Sequence, residues 1–224
     1  MSETLYDKKY TCPVCGNAFN SKKMKSSACR VDRRDEDFCV VYKQDNPMHY
    51  EIIVCSQCGY AASENSFENL TPTEKQQVKS MLSGKVVSRS FCGERTVNDA
   101  LDSFKLALFL AKQREAKRSI IGGLALKLAW IYREMKCDKE AGFLEYALQN
   151  YTEAYNTEEL PLGNLDEISV QYLMGELSRR LGKYDEAIFW FNKAVSNPER
   201  RDNPRVEKLA REQWQVAKDQ SKKA

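Results

Sequence analysis

The sequence predicts an α protein with a small β metal module: residues 1–68 form the metal-held part, 69–90 a joint with a short helix, 91–220 an all-α array of helical hairpins, and 221–224 a frayed tail. Two observations carry that division. Paired cysteines, Cys12-Pro13-Val14-Cys15-Gly16 and Cys55-Ser56-Gln57-Cys58-Gly59, stand on either side of a stretch rich in β-formers. From Thr96 onward apolar residues recur at spacings of three and four, the period of an amphipathic helix.

Each cysteine pair sits on a tight turn, and the glycine after it can take the positive φ that aims main-chain amides at the sulfurs. Two such turns make a closed four-sulfur cage from Cys12, Cys15, Cys55 and Cys58, a structural site with no open position for catalysis. Zinc suits it best. A rubredoxin-like iron site uses the same knuckles and is the alternative, with redox-active dithiols behind it. Tyr10-Thr11 and Asn17-Ala18-Phe19 read as a short hairpin around the first knuckle, Phe19 facing inward. His49-Tyr50-Glu51-Ile52-Ile53-Val54 reads as a strand entering the second. This is the layout of a zinc ribbon. Its apolar residues, Phe19, Val31, Phe38, Val40, Val41, Tyr42, Ile52, Ile53 and Val54, are too few to hold about sixty residues by burial alone. Metal binding, worth roughly 10–16 kcal/mol in zinc-finger peptides, would make up the difference.

The 39 residues between Cys15 and Cys55 exceed common finger spacings, so this loop must fold back with structure of its own. Cys29, Cys39, Cys92 and Cys137 read as small, partly buried apolar side chains. His49, the only histidine, is the one residue that could replace a cysteine ligand or join Cys29 and Cys39 in a second site, but the paired cysteines already complete a cage.

Thr71-Pro72-Thr73-Glu74 has the form of a capping box with proline at the first helical position, predicting a short helix to about Ser83 that Gly84 stops. Six helices follow. Val97 to Ala111, Ile120 to Met135 and Ala141 to Tyr155 are the first three. Asp166 caps the next, which carries Val170 to Leu181, Ala187 to Val195 form another, and Asn203-Pro204 caps the last. Short connections predict antiparallel hairpins. Gly175, twelve residues before Ala187, with Phe191 and Ala194 beyond, resembles a tetratricopeptide repeat, in which small residues let helices approach and an aromatic fills the gap. Ala129 and Ala141 keep the same offset. Ala141 to Ala187 spans 46 residues against the usual 34, so the middle hairpin has an extended second helix and loop. Trp130 and Trp190 are expected between helices. In a tetratricopeptide-like solenoid the first helices line a concave groove, which places Lys127, Arg133, Tyr172, Glu176, Arg179 and Arg180 on or beside it. Their charges read either as a solvated face or as a partner-binding surface for carboxylate or phosphorylated peptide segments.

A net charge of +3 is close to neutral, and residues 1–70 hold 9 Lys or Arg against 10 Asp or Glu, so the metal module has no overall field drawing it to nucleic acid. A local strip, Lys22, Lys23, Lys25, Arg30, Arg33 and Arg34, keeps a nucleic-acid-binding ribbon as the runner-up, although Asp32, Asp35, Glu36 and Asp37 largely offset it. No apolar run reaches membrane-spanning length, and the start of the chain lacks a basic region followed by an apolar core. The paired cysteines fit a reducing, cytoplasmic setting. No nucleophile elbow or phosphate-binding glycine loop is present, and the expectation is a non-enzymatic adaptor with a protein partner. Self-pairing to a homodimer stays open.

Taken together, Leu5-Tyr6-Asp7-Lys8-Lys9, the first knuckle, Asp37-Phe38-Cys39, Asn46-Pro47, Cys55 to Ala62, Phe91-Cys92-Gly93-Glu94-Arg95-Thr96 and the Gly175 to Phe191 stretch resemble an uncharacterised bacterial family, domain of unknown function 2225. The resemblance covers nearly the whole chain. It implies a zinc-ribbon module followed by tetratricopeptide-like helices, with the four paired cysteines as ligands, and it brings no established activity.

Overall fold

The computed structural model describes residues 4–85 and 87–223; residues 1–3, 86 and 224, which fall in the expected metal module, joint and tail, lie outside the described residues. The chain forms two compact units. One comprises Met1–Arg33 with Val40–Ala116, the other Arg34–Cys39 with Lys117–Ala224.

In the first unit, β1 (Leu5–Thr11) and β2 (Ala18–Met24) pair antiparallel, Leu5 opposite Met24 and Thr11 opposite Ala18, so the first knuckle is the tip of a longer hairpin than its flanks suggest. β3 (Val31–Arg34) and β4 (Val40–Tyr42) form a second two-stranded ribbon. β5 (Ile52–Val54) and β6 (Ala61–Ser63) form a third, carrying the second knuckle. The expected strand from His49 is shorter than its sequence suggests. Pro47–Tyr50 is a 3-10 turn, because the Asn46 side chain accepts from the Met48 amide and Pro47 fixes the first turn position.

The core of this unit is aromatic. Tyr10, Phe19, Tyr60 and Phe67 are buried, with ring centroids 5.0 Å apart for Tyr60 and Phe67 and 6.0 Å for Tyr10 and Phe19. Ile52, Ile53 and Val54 are buried as well, while Val31 is 41% exposed and Val40, Val41 and Tyr42 are half-buried, so β3 and β4 do not belong to the core expected for them. α1 (Pro72–Leu82) begins at the Thr71/Glu74 capping box, and α2 (Val97–Gln113) at a second box made by Thr96 and Asp99. α2 packs on β5, β6 and the 47–50 turn, which groups it with the cysteine module rather than with the later helices. The buried Arg95 fastens this arrangement, donating to the carbonyls of His49, Ile52 and Phe91 while its amide donates to the Tyr50 hydroxyl.

In the second unit, α3 (Arg118–Glu134) and α4 (Glu140–Thr157) are joined by a short turn, as are α5 (Glu167–Arg180) and α6 (Tyr184–Ser196), and α7 (Pro204–Ser221) closes the set. Asp166 and Asn203 cap α5 and α7 as expected, accepting from Ser169 and Val206 amides. A longer loop follows the 18-residue α4. At Gly175 a Cβ would lie 2.7 Å from the Phe191 ring, so α5 and α6 approach only because that side chain is absent. The matching approach expected at Ala141 does not occur, since Ala141 is exposed; Ala129 is fully buried, and the close contact between α3 and α4 lies instead where Gly122 faces Tyr151. Leu144, Leu148, Leu173, Met174 and Leu177 make one core, and Ile168, Tyr172, Phe191 and Ala194 a second. Trp190 is buried in the first. α7 extends to Ser221, into the segment expected to fray.

Candidate metal centre and helical groove

The two knuckles are built alike, residue for residue. In the first, the Gly16 amide donates to the Cys12 carbonyl and the Cys12 amide to the Asn17 carbonyl. In the second, Gly59 donates to Cys55, and Cys55 to Tyr60. Gly16 and Gly59 have φ of 76° and 75°, a region where a Cβ would strain the turn. The amides of Val14 and Cys15 act on the Cys12 sulfur, and those of Gln57 and Cys58 on the Cys55 sulfur.

These turns bring four sulfurs together, all within 4.8 Å of one another. Cys12 Sγ lies 3.6 Å from Cys58 Sγ, and Cys15 Sγ 3.7 Å from Cys55 Sγ. A tetrahedron with metal–sulfur bonds of about 2.3 Å has sulfur–sulfur edges of about 3.8 Å, so the cage has the size that a four-thiolate ion requires. The separations are also far beyond a disulfide bond. Cys55 is drawn toward the thiolate by hydrogen bonds from Cys12 and Cys58, while Cys12 is pushed up to about 12, chiefly by Cys55 and burial and against Cys58, and Cys58 is pushed upward by Cys12 and Cys55. Four sulfurs at this distance could hold a metal ion among them. Among the described residues no other group of three or more candidate ligands comes together, and Cys29, Cys39 and His49 stand outside the cluster. Cys39 is buried, and burial with the nearby Asp37 carboxylate pushes its thiol up to about 12, so it stays protonated and packs as a small apolar side chain.

The groove residues on α3 and α5 have an unexpected neighbour. Residues 34–39 lie in the helical unit, and their side chains meet the predicted partner-binding set. Asp37, fully buried, accepts from Arg133 Nη1 at 3.1 Å and Nη2 at 2.5 Å and from Trp130 Nε1 at 3.0 Å. Arg133 also donates to Asp35 at 3.0 Å and to Glu140 at 2.7 Å. The Tyr172 hydroxyl donates to the Glu36 carbonyl at 2.7 Å, and Arg180 spans Glu36 and the buried Glu176. Arg179 binds Glu176 and Gln220. Phe38 packs against both helical cores, its ring 5.2 Å from that of Tyr172. Lys127 is half-buried on α3, one turn before Trp130.

The electrostatics follow from burial. Removal from water drives the Asp37 pKa up, but the Arg133 hydrogen bonds, the Arg180 and Arg133 charges and the Trp130 bond outweigh it and hold the carboxyl below its usual 3.8. Arg133 is pushed the other way: burial lowers its pKa, and Asp37 and Glu140 more than restore it. These charges on α3 and α5 are therefore paired and partly buried, not a solvated face. Of the residues expected on a partner surface, Arg133, Tyr172 and Arg180 meet residues 34–39, and sequence reasoning missed their counterparts Asp35, Glu36 and Asp37 and the part played by Trp130. An acidic run followed by an aromatic, inside a loop too long for its metal site, was the available signal. In the first unit, Lys22 pairs with Asp7 and Lys23 with Glu64, which takes both out of the exposed basic strip, while Arg30 and Arg33 stay exposed.

No helix among the described residues is long and apolar enough to cross a membrane. A family model described as an uncharacterized protein conserved in bacteria, DUF2225, matches residues 5–217. Neither the curated proteins nor the solved structures include a match to the chain.

Proposed function

The chain belongs to DUF2225, a family of uncharacterised bacterial proteins, and from its own side chains we propose a non-enzymatic adaptor that holds a protein partner on its helical unit. The metal in this reading is zinc. Cys12, Cys15, Cys55 and Cys58 would hold it as a zinc ribbon, where it neutralises the thiolates and closes a module whose apolar core is small. A full set of four sulfurs leaves no position for substrate, which argues for structure over chemistry and, with unpaired cysteines elsewhere, for a reducing compartment. The helices are taken as a tetratricopeptide-like array in which α3 and α5, the first helices of successive hairpins, line the groove.

The observation that carries the proposal is the buried Asp37 carboxylate held by Arg133 and Trp130: these helices already grip a short acidic segment by side-chain recognition. The test is elemental analysis of the purified chain, with capture of partners by the wild type compared against Arg133→Ala. One zinc per chain and a partner lost with Arg133 are expected. An unchanged set of partners removes the groove from the reading.

A further inference from the structure

Residues 34–39 meet the helices as a peptide ligand meets a receptor. Four consecutive residues each make a distinct contact: Asp35 to Arg133, the Glu36 carbonyl to Tyr172, Asp37 to Arg133 and Trp130, and Phe38 to the two cores. What carries this segment is slight by comparison. Every residue of β3 is exposed and those of β4 are half-buried, so the ribbon beneath the tip has no core of its own, and a lone two-stranded ribbon is at best marginally stable in water. Phe38 also has φ of +70°, a left-handed conformation that a side chain of its kind rarely takes. Docking, not the local backbone, holds the tip in place. If the tip left, Arg133 would keep Glu140 and Arg180 would keep Glu176, and three acidic groups, Asp35, Glu36 and Asp37, would be withdrawn from around them. The vacated groove is thus basic, with an apolar slot beside it.

We infer that the groove between α3 and α5 is a receptor for acidic segments of the pattern Asp-x-Asp-Phe in a partner protein, and that residues 34–39 are a resident ligand which such a segment displaces. This rests on the adaptor reading and names the class of partner. The resident segment shows what the surface selects. A carboxylate at the third position is required, because its pocket is buried and offers a two-pronged guanidinium with an indole N–H. An aromatic ring must follow it, and a carboxylate two residues earlier adds to the attraction. The Glu36 side chain, half exposed against Arg180, contributes least.

The test uses the full chain and a labelled synthetic peptide with the sequence of residues 31–42, serine replacing Cys39, followed by fluorescence anisotropy. The combined variant Asp37→Asn, Phe38→Ala empties the groove. It should bind the peptide at least about tenfold more tightly than the wild type, whose own segment competes. Adding Arg133→Ala, or changing Asp37 to Asn in the peptide, should abolish binding. The inference is overturned if the emptied variant, with its helical circular dichroism and bound metal intact, ignores the peptide or binds it independently of Arg133. Should that variant fail to fold, hydrogen exchange on the wild type decides: excess peptide should speed exchange at the Phe38 and Cys39 amides, and unchanged protection there overturns displacement. A wild-type dimer that Asp37→Asn dissolves would assign the groove to a second copy and overturn a foreign partner. Peptide failure alongside Arg133-dependent capture of a partner sinks this inference and leaves the adaptor. Peptide binding by a chain that holds no partner in native extract sinks the adaptor and leaves the receptor chemistry standing.

Discussion

Asp37 and Arg133 should be energetically coupled, and a double-mutant cycle measures by how much. Asp37→Ala removes two hydrogen bonds from Arg133 and one from Trp130 at a site with no solvent exposure. Breaking a buried ion pair from one side costs about 3–5 kcal/mol when the remaining charge is stranded. Arg133 is not fully stranded, since Asp35 and Glu140 still face it and its side chain is 19% exposed. The single change should therefore cost about 2–3 kcal/mol, below the usual range. Arg133→Ala should cost about as much, because it leaves Asp37 buried with Trp130, a weak bond from the Cys39 amide and a long contact to Arg180. The double variant should fall short of the sum by about 2 kcal/mol, toward the upper part of the range for neighbours in one network.

Equilibrium urea unfolding, followed by far-ultraviolet circular dichroism of the helical unit, supplies the four free energies. A coupling within about 0.5 kcal/mol of zero would mean that the two side chains act independently. That result would refute the docking of residues 34–39 on α3. Acid gives a second view of the same pair. The folded pKa of Asp37 is depressed, so its contribution is complete above the ordinary value of 3.8 and is lost as pH falls through the folded value. The stability gap between wild type and Asp37→Asn should be constant near neutrality and shrink below about pH 4.

Further expectations concern single sites. Gly175→Ala drives a methyl into the Phe191 ring and should cost about 1–3 kcal/mol in a thermal or urea melt; Phe191→Leu in the same chain should recover part of it, and an unchanged melt for Gly175→Ala would contradict the close approach of α5 and α6. Cys12→Ser and Cys58→Ser should each lose the metal, seen by elemental analysis, and full stoichiometry in either variant would break the four-sulfur assignment. Glu64 loses ground to burial but is pulled down to about 2 by Lys23, Lys8 and the Tyr10 hydroxyl. Its support for the first unit is whole above the ordinary 4.5 and fades as pH falls toward 2. Glu64→Gln should flatten that part of the acid-denaturation curve, and a curve unaltered from wild type would remove Glu64 as its source.

The parts of the fold legible in the sequence are those fixed within a few residues. Thr71 with Glu74, Thr96 with Asp99, Asp166 with Ser169 and Asn203 with Val206 are local caps, and each begins a helix where its side chain can reach the amide three residues on. The knuckles are similarly local, since one turn fixes both sulfurs of a pair. Even the repeat spacing works at short range, and only where the residues face inward: Gly175 packs on Phe191 and Ala187 is buried, while Ala141 points to solvent. At His49 the β-propensity of the following residues is overridden by the Asn46-Pro47 turn, which holds residues 47–50 in a 3-10 conformation.

The contact of residues 34–39 with the helices lay outside that reach for a physical reason. Asp37 meets Arg133 across 96 residues of chain, and Glu36 meets Tyr172 and Arg180 across 136 and 144. Such pairings have no period and no fixed spacing, so Asp35, Glu36 and Asp37 were assigned to the cations adjacent in sequence, Arg30, Arg33 and Arg34. Those arginines are exposed and could be neutralised by water and salt at little cost. Arg133 is mostly buried and could not: Glu140 takes only its Nε–H, and the penalty for leaving the remaining buried donors without a carboxylate favours the distant partner over the near one. The same inequality extends to the Trp130 indole N–H, which would lose its acceptor together with the Arg133 donors if Asp37 were withdrawn.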